Sequence, residues 1–98
     1  MFAFQRLAQC ILRFEEKCDD EHEIGVRLFT SNTEVTFHLR DLNYYTPNIL
    51  NFHGINEHGE ELQLIQDVSQ LNILLVPMKT FGEKPVRIGD RLDQSEER

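Results

Sequence analysis

What most constrains the fold of this chain is a change in the spacing of its apolar residues. Over residues 4–18, Phe4, Leu7, Ala8, Ile11, Phe14 and Cys18 recur at intervals of three and four, with Gln5, Arg6, Gln9, Arg13 and Glu16 between them. That interval gathers side chains on one face of an α-helix. From residue 24 the interval drops to two. Ile24, Val26 and Leu28 alternate with Glu23, Gly25 and Arg27; Val35, Phe37 and Leu39 alternate with Glu34, Thr36, His38 and Arg40. Alternation places apolar groups on one face of a strand and polar groups on the other. A helix followed by half-buried strands predicts an α+β domain, an N-terminal amphipathic helix packed on a mostly antiparallel sheet.

The remaining elements follow from local chemistry. Acidic residues oppose the helix dipole at a C-terminus, so Asp19-Asp20-Glu21 ends the helix near Lys17 or Cys18 and forms a solvated linker. Thr30-Ser31-Asn32-Thr33 is a polar turn that makes the first two strands a hairpin. Asp41 to Asn48 reads as a connecting loop, stiffened where Pro47 biases Thr46 toward extended geometry. A second hairpin runs from Ile49 to Asn56 and from Glu61 to Gln66 around Glu57-His58-Gly59-Glu60, with Leu50 and Phe52 facing Leu62 and Leu64. Asp67-Val68-Ser69-Gln70 has the form of a capping box and predicts one helical turn. Ile73 to Val76 is an unbroken apolar run between Asn72 and Pro77, which predicts a strand covered on both faces, central or at an oligomer interface. The sheet then has about five strands, two hairpins plus a buried strand. Residues 1–81 make the domain. Residues 82–98 form a tail with nine charged residues, in which only Val86, Ile88 and Leu92 are suited to docking and the last six residues are mobile.

Size and charge narrow the function classes. A chain of 98 residues buries roughly 60 to 65% of its unfolded surface, enough for one thinly stabilised core that gains from self-association. No apolar run approaches the ~18 residues needed to cross a bilayer. Met1-Phe2-Ala3-Phe4-Gln5-Arg6 has no basic segment ahead of an apolar one, so no signal peptide is expected. Cys10 and Cys18 on one helix stand about 12 Å apart along its axis, which forbids a mutual disulfide and points to reduced thiols in the cytoplasm. A net charge of −7 argues against polymeric nucleic acid as a partner.

The polar strand positions collect on one face: Arg27, Thr36, His38, Arg40, Asn51, His53, Glu61 and Gln63. Two guanidinium groups, two imidazoles and several amides suit the binding of a small polar or anionic ligand. The same set also suits an ordinary solvated sheet face. Tyr44 and Tyr45 each join a large apolar ring to a polar tip, fit for stacking on a ligand or anchoring an interface, or for packing on the sheet edge. Phe2 and Phe4 are placed to cap the core or to touch a second subunit. No catalytic residue is assigned. No His-Glu-x-x-His, Cys-x-x-Cys, glycine-rich phosphate loop or nucleophile elbow occurs, so neither a metal site nor a cofactor is expected, and a hydrolase built on His38 and His53 is the least favoured reading.

Three stretches carry a resemblance: Thr36-Phe37-His38-Leu39-Arg40-Asp41-Leu42, Tyr44-Tyr45-Thr46-Pro47, and Leu64-Ile65-Gln66-Asp67-Val68-Ser69-Gln70-Leu71. Over roughly residues 20–79 the chain resembles a family of short uncharacterised bacterial proteins that also fit phage genomes. That family often has Tyr-Trp ahead of the proline and a histidine at the Asp67 position. The resemblance implies a shared fold and a bacterial or viral origin, with the host cytoplasm as the setting if phage-borne; it implies no chemistry.

The expectation is a non-catalytic binding protein, homo-oligomeric, holding a small polar or anionic ligand through Arg27, His38, Arg40, Asn51, His53, Tyr44 and Tyr45. Sequestration of a signalling nucleotide is one form of it. The alternative is an interaction module that docks through a sheet edge or the Tyr44-Tyr45 loop.

Overall fold

The computed structural model describes residues 3–82, 84–89, 91 and 92. An N-terminal helix α1 (Ala3–Glu16) is followed by β1 (His22–Phe29), β2 (Glu34–Tyr45), β3 (Ile49–Ile55), β4 (Glu61–Asp67), a 3₁₀ turn over Val68–Gln70, and β5 (Leu74–Lys79). The strands form one antiparallel sheet in the order β4-β3-β2-β1-β5. The α+β class with one helix and five strands is the expected one.

The two periodicities act as anticipated. Phe4, Ala8 and Ile11 of α1 are buried, with Leu7, Leu12 and Phe14 packed beside them. They meet Ile24 and Val26 of β1, Phe37, Leu39 and Leu42 of β2, and Leu50 and Phe52 of β3 in a single core. Phe2 lies outside the described residues. Among the strands, Gly54 admits this packing directly: a Cβ there would sit 2.0 Å from a Phe37 ring carbon and 2.6 Å from the His38 carbonyl oxygen. Gly59, at φ +80°, closes the β3–β4 turn, where the Asn56 side chain accepts from the His58 and Glu60 N–H groups and left-handed geometry favours glycine.

Two features depart from the sequence reading. Residues 41–45 continue β2 instead of opening a loop. The ladder with β3 pairs Leu39 with Gly54 and then Asp41 with His53, leaving Arg40 as an inserted residue. This bulge shifts the parity, so Leu39 and Leu42 both face the core although three positions apart, and simple alternation is lost. The connection to β3 is correspondingly short, and the Thr46–Pro47 bond within it is cis.

The second departure is β5. It begins at Leu74, runs past Pro77 to Lys79, and takes the sheet edge beside β1 with its residues half-buried or exposed. An unbroken apolar run reads as doubly covered, but here Leu75 faces the core side while Leu74 on the other side is 50% exposed.

Of the three tail residues suited to docking, two are packed. Ile88 and Leu92 are fully buried and belong to the core, whereas Val86 is exposed. The Leu92 N–H donates to Ile88 O in a helical turn. Two carboxylates tie this segment down. Glu15, on α1, accepts from the Ile88 N–H at 2.8 Å and the Gly89 N–H at 3.0 Å. Glu23, on β1, accepts from the Val86 N–H at 2.9 Å. Arg87 donates to the carbonyls of His22 and Asp19. Phe81, Val86, Arg87, Ile88 and Leu92 thus run from the outer sheet face past the start of β1 to the helix side. The last six residues, expected to be mobile, lie outside the described part.

Candidate functional site

The outer face of the sheet, away from α1, presents Glu23 and Arg27 of β1, Thr36, His38 and Arg40 of β2, Asn51 and His53 of β3, and Glu61, Gln63 and Ile65 of β4. Cross-strand pairing sets this arrangement: Arg27 lies opposite Thr36, Asn51 opposite both Asn43 and Ile65, and His53 opposite both Asp41 and Gln63. The gathering of polar positions foreseen from alternation is therefore real, but its members occupy different environments.

At the centre is a buried charge cluster. Glu23 is 1% exposed, and one of its oxygens accepts from His38 Nδ1 at 2.6 Å and from Arg40 Nη1 at 2.8 Å while the other takes the Val86 N–H. Burial pushes the Glu23 carboxyl up, but the Val86 N–H, Arg40 and His38 outweigh it and hold the group below its ordinary value. His38 is itself buried, at 3% exposure, and the Phe81 ring lies over it at 4.0 Å between centroids. The histidine is thus enclosed between a carboxylate and an aromatic ring, with Nδ1 committed to Glu23. Glu23, Phe81 and Val86 had no place in the sequence-based site. Glu23 read as an ordinary outward residue of an alternating strand, and nothing local to Phe81 or Val86 signals that they return to the sheet.

Beside this cluster lies a hollow of about 410 Å³ lined by Arg40, His53, Glu61 and Gln63, with Ile55 and Leu62 as its apolar wall. Asn51 stands next to it, 5% exposed, its Nδ2 donating to Gln63 Oε1 at 3.0 Å. The Asn51 Oδ1 is buried without a hydrogen-bond partner. A second hollow of about 540 Å³ lies toward the β1–β2 turn, where Arg27 pairs with Glu34 at 2.9 Å and donates to Thr36 Oγ1 at 3.3 Å.

The tyrosines divide. Tyr44 faces the core, stacks on Phe4 with centroids 5.5 Å apart and donates to Pro47 O. Tyr45 is 53% exposed at the far end of β2. Of the seven residues singled out from sequence, the structure brings together Arg40, His53 and Asn51, joins His38 to Arg40 through Glu23, and leaves Arg27, Tyr44 and Tyr45 elsewhere. The Asp67 cap forms as foreseen, its carboxylate accepting from the Ser69 N–H at 2.9 Å, and that bond heads the causes that hold its pKa low.

Among the described residues no three His, Cys, Asp or Glu side chains converge as metal ligands, and no helix is long and apolar enough to cross a membrane. Cys10 and Cys18 are both free thiols. Burial raises the Cys18 thiol pKa, against the pull of the Arg87 charge.

No curated protein and no solved structure matches this chain. A family model does, described as a family of unknown function (DUF6173), over residues 2–89, a longer stretch than the residues 20–79 that carry the resemblance. The match spans the helix, all five strands and the segment that docks through Val86 and Ile88, and the chain therefore belongs to the DUF6173 family.

Proposed function

We propose that the domain is a non-catalytic binding protein that holds a small polar ligand in the hollow between Arg40, His53, Glu61 and Gln63. One observation carries this reading: side chains of complementary hydrogen-bonding type, drawn from three strands, line a single space of about 410 Å³. Arg40 offers donors and Glu61 acceptors; Gln63, with its oxygen occupied by Asn51, offers its amide N–H groups, and His53 supplies either role. Glu23 neutralises much of the Arg40 charge, so the chemistry favours a ligand bearing both donors and acceptors, such as the base and ribose of a nucleotide, over a bare anion.

The resemblance supports a bacterial or phage origin and a cytoplasmic setting, where Cys10 and Cys18 stay reduced. Self-association belongs to the same reading, since a chain of this size gains from extra burial and Phe29, Leu74 and Phe81 are each half or more exposed.

The test is an amide-resolved NMR titration with adenosine 5′-monophosphate and, separately, inorganic phosphate. Shifts confined to Arg40, His53 and Gln63 with the nucleotide, lost in His53→Ala, are the expected result. Absence of any localised change at millimolar nucleotide, or an equal response to phosphate alone, overturns the assignment.

A further inference from the structure

The two edges of the sheet are not equivalent. In an antiparallel ladder, the residues whose N–H and C=O groups point toward one neighbour alternate with those that point away. The Val68 N–H donates to Asn48 O and the Asn56 N–H to Glu60 O, which sets the phase of the β3–β4 ladder. Leu62, Leu64 and Gln66 therefore direct their backbone groups at β3, and Glu61, Gln63, Ile65 and Asp67 direct theirs outward. On the opposite edge, the Thr80 N–H donates to Glu21 O, so Leu75, Pro77 and Lys79 of β5 point away from β1. Pro77 has no N–H to give and Lys79 places a charge beside it, two features that block strand addition. β4 has no proline, no lysine and no bulge along its seven residues. Among the described residues, one edge is closed to pairing and the other is open.

We propose that the outward edge of β4 accepts an extended segment of a partner protein that is apolar at its centre and basic at both ends. Glu61 and Asp67 stand at the two ends of the open strand, and Ile65, 61% exposed, lies between them. A partner strand paired antiparallel would set a basic residue opposite each acid and an apolar residue opposite Ile65. Its intervening side chains would fall beside half-buried Leu62 and Leu64 and extend the apolar side of the sheet. A second copy of this chain is the wrong occupant. Full overlap of two β4 strands sets Glu61 directly against Asp67 twice, and like charges directly opposite are repulsive. The net charge of −7 adds to that repulsion. Recognition would rest on main-chain bonds for affinity and on the flanking charges for choice of partner.

The probe is an acetylated, amidated heptapeptide, KVVVTVK, added to the full chain. The expected result is hydrogen exchange slowed at least tenfold at the Gln63 and Ile65 amides on binding, with the Leu62 and Leu64 amides changing far less. The peptide EVVVTVE should bind at least tenfold more weakly. Ile65→Pro removes an outward donor without breaking a β3 bond and should abolish the protection; Ile65→Lys, which keeps the backbone intact, should weaken binding in the same direction. Equal binding of the acidic peptide, or no protection at saturating peptide, overturns the proposal. So does a free protein of doubled solution mass whose Gln63 and Ile65 amides are already protected, which would give the edge to a second copy.

Discussion

At the scale of single residues, the Glu23 carboxylate ties β1 to β2 and to the Val86 backbone. It lies on a strand whose alternation marks it as outward, yet it is almost fully enclosed and satisfies an amide, an imidazole and a guanidinium at once. Glu23→Ala leaves all three donors without their acceptor and is expected to cost roughly 3 kcal/mol, the low end for breaking a buried pair because Arg40 is partly solvated. Urea unfolding checks it. The sign of the pH effect follows from the lowered pKa. A group held below its unfolded value adds stability above that value and loses it as pH falls through the folded one. Stability should therefore decline below about pH 4.5, near the ordinary glutamate value, and less steeply in Glu23→Gln, which has nothing to titrate there. Asp19, held low by His22 and the Glu21 N–H, and Asp67 titrate in the same direction and account for acid sensitivity that survives the substitution.

At the scale of elements, the described residues between 81 and 92 belong to the domain through those that dock. Their hydrogen bonds to Glu15 and Glu23 come from backbone N–H groups, so they do not depend on the identity of residues 86, 88 and 89. Side-chain specificity enters through Ile88 and Leu92. Ile88→Ala empties a fully buried position and is expected to destabilise by about 3 kcal/mol, which at this chain length lowers the thermal midpoint by more than about 10 °C. Differential scanning calorimetry measures it. A shift of only a few degrees would mean that the segment contributes little to the folded state. Because Phe81 covers His38, the same variant should also broaden the His38 ring signals in NMR if the segment loosens as a unit.

On the scale of the whole molecule, an acidic surface surrounds a core that contains only a few charged groups. The 17 acidic residues against 10 basic ones produce self-repulsion that grows as the chain compacts. Adding sodium chloride from about 0.01 to 0.15 M shortens the screening length severalfold and should raise the thermal midpoint, whereas the enclosed Glu23 cluster is screened less. An unchanged or lower midpoint would show that surface ion pairs such as Arg27–Glu34 outweigh the net repulsion.

What could be read from sequence alone was whatever depends on local periodicity. Three- and four-residue spacing made α1, two-residue spacing made β1, β3 and β4, and the Asp67 cap formed where its neighbours placed it. Reading failed where the outcome hangs on groups distant along the chain. The Arg40 bulge erased alternation in β2 and hid a strand inside an apparent loop. The position of β5 followed from pairing with β1, for which an apolar run carries no information. Glu15 and Glu23 took charged residues into enclosed positions because amides more than 60 residues away came to meet them, joined at Glu23 by His38 and Arg40 of the neighbouring strand. Periodicity reports which face of an element is apolar; it is silent on what covers the other face. The change of spacing between residues 18 and 24 therefore specified a helix and a sheet, and tertiary contacts alone decided that His38 lies enclosed, that the hollow at His53 stays accessible, and that, among the described residues, β4 lies at an edge of the sheet.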